Sequence, residues 1–267
     1  MATSTRKKSK TKRTRKRKRS DSELSKWCRK TFRKLRPWLV ASIVLLAGYF
    51  TIPYVIDHFF GGDNRVSKDY DGIDISKHNG KIDWKEVAED PSIKFVYIKA
   101  TEGASIVDKH YERNLREARA AGLKVGSYHF FRGYKTAEEQ FAIFSKNVKK
   151  EEQDLLPMVD VEEAGNRLVD RARLQNNLQA FMDLVKEEYG KYPLLYSQYH
   201  FYNERLAPEF NRYYIFIARY GKQAPELKGG GKYNIWQYTE RGRIRGIDGT
   251  VDLDRFAPGT RLRDIEL

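Results

Sequence analysis

Cysteine is almost absent from this chain of 267 residues, and its one cysteine, Cys28, lies near the amino terminus. A disulfide bond within the chain is therefore excluded. A body of about 200 residues can bury enough apolar surface to be stable without such a cross-link. No internal sequence repeat is evident either.

Several motifs of known catalytic sites are also missing. The five histidines show none of the spacings that are usual in zinc sites, and no Gly-x-Ser-x-Gly sequence indicates an acyl-transfer triad. No glycine-rich phosphate loop follows the first predicted strand. We therefore expect no cofactor and no metal, although a magnesium or calcium site made of carboxylates alone stays open as an alternative.

Excess positive charge is confined to the amino terminus. Residues 1–36 hold 17 Lys or Arg and two acids, which leaves 34 basic and 34 acidic residues in the rest of the chain. Residues 6–19 have no apolar side chain and cannot build a core, so we expect residues 1–36 to be a disordered basic tail. Nucleic-acid binding by this tail is one alternative, but an apolar segment follows closely and we expect no nucleic-acid partner.

Residues 38–56 carry no charged side chain. Nineteen helical residues extend about 28 Å, close to the hydrocarbon thickness of a bilayer. A signal peptide would have a shorter apolar region and a small-residue cleavage site, and a buried core helix would have a polar face. The sequence therefore predicts one transmembrane helix within residues 37–60, with Trp38 and Tyr54 near its ends as interfacial aromatics.

The basic tail predicts the orientation of that helix, because positively charged flanks stay in the cytoplasm. The amino terminus is then cytoplasmic, and the tail lies near anionic lipids. A polar linker over residues 61–69 leads to a domain over residues 70–267, which lies outside the membrane in a periplasm or an external medium.

Short apolar runs alternate with helical patterns in residues 70–267, which is typical of an α/β protein with a parallel sheet. The predicted helices are residues 83–89, 107–121, 136–150 and 170–189, and Thr136 and Glu139 have the spacing of a capping box. The predicted strands are residues 72–76, 95–101, 125–131, 155–162, 194–197, 214–220, 235–238 and 251–256.

Eight strands favour a TIM-like barrel, but 199 residues are few for eight complete βα units. The last three connections are too short for full helices. We therefore expect an incomplete barrel of about five βα units and three closing strands, with an open doubly wound sheet as the alternative.

The most informative segment is residues 155–162, an apolar run that ends with Asp160 and Glu162. Side chains at positions i and i+2 of a strand point to the same face, so the two carboxyl groups should project together. Neighbouring carboxylates raise one another's pKa, which allows one acid to stay protonated near neutral pH. Such a pair is suited to acid-catalysed cleavage of a glycosidic bond. A surface strand end with two solvated acids is the alternative.

Further polar and aromatic residues stand at the predicted strand ends, where barrels carry their active sites. Carboxylates and aromatic faces are suited to binding sugar hydroxyls and pyranose rings. The candidates are Asp74, Glu102, Tyr128, Tyr196, Trp236, Gln237, Tyr238 and Asp252.

Six ordered motifs carry a resemblance to a known family: DGIDISKHNG, FVYIKATEG, GSYHF, PMVDVE, IWQY and VDLD. Over roughly residues 70–258 the chain resembles glycoside hydrolase family 25, the Chalaropsis-type lysozymes. The resemblance implies a barrel of five βα units plus three strands. It also implies hydrolysis of the β-1,4 bond between N-acetylmuramic acid and N-acetylglucosamine in peptidoglycan glycan strands.

The resemblance also implies roles for individual residues. Glu162 matches the general acid and Asp160 its acidic neighbour, while Asp74 and Asp252 match the acids of the first and last strands. Glu102 matches a further acid of the cleft. Retaining and inverting stereochemistry both stay open, because the sequence does not give the separation of the carboxyl groups. A peptidoglycan-binding module without catalytic activity is the alternative function.

Overall fold

The computed structural model describes residue 35 and residues 69–267. The predicted transmembrane helix over residues 37–60, most of the predicted tail and nearly all of the linker lie outside the described residues. Within the described part, no helix is long and apolar enough to cross a membrane.

The described fold is built on one nine-stranded sheet, in which eight strands form a closed ring. Strand β1 pairs with β2 in parallel and with β9 in antiparallel fashion, and these two pairings close the barrel. The strands are β1 Gly72–Ile75, β2 Phe95–Glu102, β3 Ile106–Val107, β4 Val125–Phe130, β5 Met158–Asp160, β6 Leu194–Gln198, β7 Ile215–Ala218, β8 Ile235–Gly242 and β9 Val251–Phe256.

Helical segments follow the first five strands of the ring. The α-helices are α1 Trp84–Ala88, α2 Tyr111–Ala120, α3 Ala137–Asn147, α4 Glu163–Asn166, α5 Arg171–Tyr189 and α6 Tyr199–Phe201. A π-helical turn, Tyr202–Leu206, continues α6. Short 3-10 turns occur at Lys77–Asn79, Lys150–Glu152, Lys228–Gly230 and Leu262–Asp264.

The predicted barrel class is confirmed, because the mixed α/β fold has an eight-stranded, barrel-like sheet. Helices accompany the connections that follow β1, β2, β4, β5 and β6, whereas β7, β8 and β9 complete the ring without α-helices between them. Strand β9 is antiparallel to both of its neighbours. The ring of helices is thus incomplete, but the ring of strands is closed.

Side-chain alternation along the strands divides the apolar residues into two cores. The larger core lies between the strands and the helices, and contains Ile73, Ile75, Val96, Ile98, Val159, Val161, Leu195 and Ile217 together with the buried faces of the helices. The smaller core fills the barrel interior, and contains Phe95, Tyr97, Tyr128, Leu155, Met158, Leu194, Tyr196, Phe216, Ala218, Ile235 and Ile265. The interior is therefore packed below the carboxyl ends of the strands, as in other barrels.

The bounds of several predicted elements differ from the structure, and two of these differences have a local explanation. The strand predicted over residues 155–162 is regular only over Met158–Asp160. Pro157 has no N–H group to donate to a ladder, which accounts for the late start. The helix predicted from residue 107 begins at Tyr111, because residues 106–107 form β3 and pair with the end of β2 in a hairpin.

Candidate active site

Five carboxyl groups lie near one end of the barrel, where the parallel strands end and the antiparallel strand β9 begins. Asp74 on β1 lies directly opposite Asp252 on β9, and Asp254 on β9 lies opposite Gln237 on β8. On the other side of the barrel, Asp160 on β5 is in register with Phe130 on β4 and Tyr196 on β6. The fifth group, Glu162, follows Asp160 after one intervening residue.

Asp160 and Glu162 project to the same side of the chain. Val161 between them is completely buried in the outer core, and its N–H donates to the carbonyl of Tyr196 at 3.0 Å. Glu162 continues the extended backbone, with φ −117° and ψ 165°. The i, i+2 geometry expected from the sequence is therefore present, and the flanking acids turn toward the barrel axis.

Burial governs the protonation of this pair. Burial raises the pKa of Asp160 well above its usual range, and the charge of Glu162 raises it further. Burial also raises the pKa of Glu162, while the polar hydroxyl of Tyr196 and the charge of Lys99 oppose that rise. The pair can therefore hold a proton at a pH where solvated carboxyl groups are ionised. Burial, rather than the charge of Asp160, is the main cause of the raised pKa of Glu162.

Gln237 links the acid of β1 to two tyrosines. Its Nε2 donates to Asp74 Oδ2 at 2.6 Å, and its Oε1 accepts hydrogen bonds from the hydroxyl groups of Tyr196 and Tyr220 at 3.0 Å each. Gln237 is almost completely buried. This network fixes the orientation of the Asp74 carboxyl group and places two phenol groups at the cleft.

The acids of β1 and β9 also have raised pKa values. Burial and the charge of Asp252 raise the pKa of Asp74 well above its usual range. Burial, with the charges of Glu240 and Glu162, raises the pKa of Asp252 to about 7. Asp254 is fully buried, and among the described residues neither of its carboxyl oxygens has a hydrogen-bond partner. Its pKa is raised well above its usual range, mainly by burial.

Glu102 forms ion pairs with two cations, Lys99 and Arg132. Its Oε2 accepts from Lys99 Nζ at 2.7 Å, and its Oε1 accepts from Arg132 Nε at 3.2 Å and from Arg132 Nη2. These hydrogen bonds lower the pKa of Glu102 although burial opposes them. Both oxygens accept hydrogen bonds from the cations, but Oε2 accepts only one and has capacity for a second donor, so sugar binding by Glu102 stays a prediction.

The predicted aromatic residues separate into two groups. Tyr128 and Tyr196 lie in the barrel interior below the acids. Trp236 and Tyr238 flank Gln237 along β8 and lie on the opposite face of that strand, with the Arg255 guanidinium 4.0 and 4.9 Å from their ring centres. Trp236 therefore does not face Asp74, whereas Tyr238 lies within electrostatic range of Asp254.

Three further residues belong to the cleft but were not among the predicted site residues. Tyr220 is half-exposed and donates to Gln237, and Asp254 is buried close to Asp74. Lys99 precedes Glu102 in the motif Lys-Ala-Thr-Glu-Gly. Strand alternation could have identified Lys99, which faces the interior two residues after Tyr97, and Asp254, which shares a face with Asp252.

Within residues 69–267, no group of three or more histidine, cysteine, aspartate or glutamate side chains could hold a metal ion. His129, which is fully buried, contacts Thr101 Oγ1 and Gln140 Oε1 through its two ring nitrogens, and burial lowers its pKa to about 4. It is a neutral residue of the outer layer.

The chain is similar to known proteins over the whole described domain. The model of a family described as glycosyl hydrolases family 25 matches residues 73–247. The protein YegX of Escherichia coli K12 is 35% identical over 189 residues, which cover 69% of this chain and 68% of YegX. The autolytic lysozyme of Clostridium acetobutylicum is 31% identical over 188 residues, covering 70% of this chain and 56% of that protein.

Solved structures show the same barrel. A family 25 glycosyl hydrolase from Bacillus anthracis matches with a TM-score of 0.65 and 31% identity, covering 72% of this chain and 90% of that chain. A bacterial lysozyme from Streptomyces coelicolor matches with a TM-score of 0.64 and 26% identity, covering 72% and 93%.

Proposed function

Since the chain belongs to glycosyl hydrolases family 25, we propose that Glu162 and Asp160 cleave the β-1,4 bond between N-acetylmuramic acid and N-acetylglucosamine. The protein is a glycoside hydrolase of the muramidase type, and its substrate is peptidoglycan. The observation that carries the catalytic assignment is the pair of carboxyl groups on one face of the chain at the barrel mouth, both with raised pKa values.

Glu162 acts as the general acid. Burial raises the pKa of its carboxyl group, which favours the protonated form, and the acid donates this proton to the glycosidic oxygen while the bond from the anomeric carbon to that oxygen breaks. Glu162 is only partly buried, so a substrate oxygen has access to it. After the leaving sugar departs, the ionised Glu162 takes a proton from the attacking water.

Asp160 orients the acetamido group of the substrate. Its Oδ1 is buried and has no hydrogen-bond partner within the described residues, so it is available to accept the acetamide N–H. The acetamide oxygen then attacks the anomeric carbon, and water opens the resulting cyclic intermediate with net retention, an exception to the two-carboxylate scheme. An inverting route is the competing mechanism, with water activated by Asp74 or Asp252. NMR of the first-formed product anomer distinguishes the two.

Replacement of the general acid tests this assignment directly. We expect Glu162→Gln to reduce reducing-end release from purified peptidoglycan by about 10²- to 10⁴-fold, because the amide cannot protonate the leaving oxygen. Circular dichroism and thermal unfolding should be unchanged. Glu163→Gln, at the exposed neighbouring glutamate, is the matched control and should retain full activity.

Two results would contradict the proposal. Normal lysis by the Glu162→Gln variant would remove Glu162 from the role of acid. Tight binding of glycan strands by the unaltered chain without any release of reducing ends would instead favour a wall-binding module that lacks catalysis.

We also propose that residues 37–60 anchor the enzyme in a membrane, with the tail of residues 1–36 in the cytoplasm. The uncharged run of residues 38–56 and the 17 basic residues before it support this topology. The full chain should remain in the membrane fraction after carbonate washing, and protease added outside should remove only the barrel domain. Recovery of the full chain in the soluble fraction would contradict the anchor.

A further inference from the structure

A cation pair lies beside the catalytic acids. Lys99 on β2 and Arg132 after β4 bind the two oxygens of Glu102, and both cations also stack on the ring of Phe130. The Lys99 Nζ lies 4.5 Å from the ring centre, and the Arg132 Cζ lies 4.6 Å from it. These four residues, Lys99, Glu102, Phe130 and Arg132, form what we term the cation cluster.

The cation cluster carries more positive charge than its own carboxylate neutralises. Two cations share one glutamate, which leaves a net charge of one positive unit. The side chains of Lys99, Glu102 and Arg132 are 13%, 16% and 23% exposed, so the group is sheltered but open to a ligand. A charge held in this way interacts more strongly with an anion than a fully solvated lysine does.

Arg132 and Lys99 differ in the number of N–H donors that are free to bind a ligand. Arg132 is held by Glu102 and also donates from Nη1 to the carbonyl of Ala164 at 2.9 Å. Lys99 donates to Glu102, and within the described residues its ammonium group has no second hydrogen-bond acceptor. Since an ammonium group has three N–H donors, Lys99 retains donors for a substrate anion.

The cation cluster lies within electrostatic range of the reacting bond. Lys99 faces the barrel interior, and Phe130 is in register with Asp160 on the adjacent strand. The charge of Lys99 acts on both Asp160 and Glu162. A substrate sugar next to these acids therefore presents its substituents to Lys99.

The two alternating sugars of the glycan strand differ in charge. N-acetylmuramic acid carries a lactyl group at O3, which bears a carboxylate itself or carries a stem peptide with carboxylates, whereas N-acetylglucosamine has a neutral hydroxyl there. We propose that Lys99, held by Glu102 and supported by Arg132, binds a carboxylate borne by the lactyl substituent of the muramyl residue. This subsite would fix the register of the strand, so that the bond after the muramyl sugar meets Glu162. The inference rests on the proposed muramidase function.

Three substrates separate the sources of the carboxylate. Peptide-free glycan strands carry the lactyl carboxylate, the same strands converted to lactyl methylamides are neutral, and native strands carry stem peptides. We expect the unaltered full chain to show a kcat/KM about tenfold higher on the lactyl carboxylate than on the methylamide, as for a sheltered charge-assisted contact. A preference for native over methylamide strands alone would assign the subsite to stem-peptide carboxylates.

Variants test whether Lys99 carries this preference. Lys99→Met should reduce the ratio of the two kcat/KM values to about one, and Lys99→Arg should restore most of it because the cation is retained. Lys124→Met is the matched control, since Lys124 is a half-exposed lysine at the amino end of β4, paired with Asp154 at 3.6 Å. It should keep the ratio of the unaltered chain.

Several results would overturn the subsite. The subsite is ruled out if the unaltered chain has a kcat/KM ratio near one both for lactyl carboxylate against methylamide strands and for native against methylamide strands. It is also ruled out if Lys99→Met leaves the ratio unchanged. An equal loss of kcat on all substrates, with only a shifted pH profile, would show that Lys99 acts on the acids alone. Equilibrium binding of the same strands to the Glu162→Gln variant gives the ratio without turnover. A failure of the muramidase reaction is thereby separated from a failure of the subsite.

Discussion

At the scale of single residues, the proposed acid chemistry depends on carboxyl groups that are removed from water. Asp160 and Asp74 are buried at the barrel mouth, and their raised pKa values follow mainly from that burial. A surface pair with the same spacing would have ionised fully and could not have supplied a proton at neutral pH. The ability of Glu162 to donate a proton therefore depends on the residues that bury it as much as on the neighbouring Asp160.

The effect of burial on a carboxyl pKa can be tested at Asp254 by measuring the free energy of unfolding at different pH values. Its folded-state pKa is raised above the unfolded value of about 3.9, so the unfolded chain releases the proton first. Stability contributed by the protonated form is thus lost as the pH rises above about 4. We expect Asp254→Asn to gain stability relative to the unaltered protein between pH 4 and pH 8, by at least about 1 kcal/mol. Urea unfolding at both pH values measures this.

The matched substitution for that experiment is Asp248→Asn, at an exposed aspartate that precedes β9. A difference between Asp254→Asn and the unaltered protein that stayed constant with pH would show that Asp254 is ionised in the folded state.

At the scale of elements, local sequence signals mark where helices begin. Thr136 Oγ1 accepts from the N–H of Glu139 at 3.2 Å, and Glu139 Oε2 accepts from the N–H of Thr136 at 3.2 Å. This is the capping box that the spacing predicted, at the start of α3. Helix α5 begins in a similar way, with Asp170 accepting from the N–H of Arg173 at 3.1 Å.

The contribution of the α3 N-cap to stability can be measured by substitution. We expect Thr136→Ala to lower the free energy of unfolding by about 1 kcal/mol, because the N–H of Glu139 in the first turn loses its acceptor, Thr136 Oγ1. Glycosidase activity should be retained, since α3 lies outside the barrel. Lys135→Ala is the matched control at the partly exposed preceding residue and should change stability little. Equal losses in both variants would argue against the capping role.

At the scale of the whole molecule, strand β1 decides whether the barrel closes. It pairs with β2 on one side and β9 on the other, and it carries Asp74. Gly72 at its start faces the ring of Phe95, and a Cβ atom there would lie 2.3 Å from that ring. The absence of a side chain at position 72 therefore permits close packing of the barrel interior where the ring of strands closes.

The close packing at the point where the barrel closes predicts the effect of adding a methyl group at position 72. We expect Gly72→Ala to destabilise the protein by about 1–3 kcal/mol, because Phe95 must shift within a packed interior. Since Asp74 is on the same short strand, activity should fall together with the melting temperature. Phe95→Leu in the Gly72→Ala background should recover part of the stability by making room. An unchanged melting temperature in Gly72→Ala would show that β1 moves freely.

Much of the fold and part of the site could be predicted from the sequence. Strand and helix periodicity, the short final connections and the pair Asp160–Glu162 indicated the barrel class and the candidate acids, because these signals are local in the chain. The hairpin of β3 was not predicted, because β3 is only two residues long. The shortened β5 was not predicted either, because its length depends on which of its backbone N–H and C=O groups pair with the neighbouring strands.

The sequence by itself determined the alternation of strands and helices, the neutral body with its basic amino terminus, and the spacing of Asp160 and Glu162. Only the tertiary structure decided which side chains meet. Gln237 joins Asp74 across 163 positions of sequence, Glu102 pairs with Lys99 and Arg132, and Trp236 does not face Asp74. The physical reason is that burial and pairing across strands arise from contacts between segments distant in the chain, which no local pattern encodes.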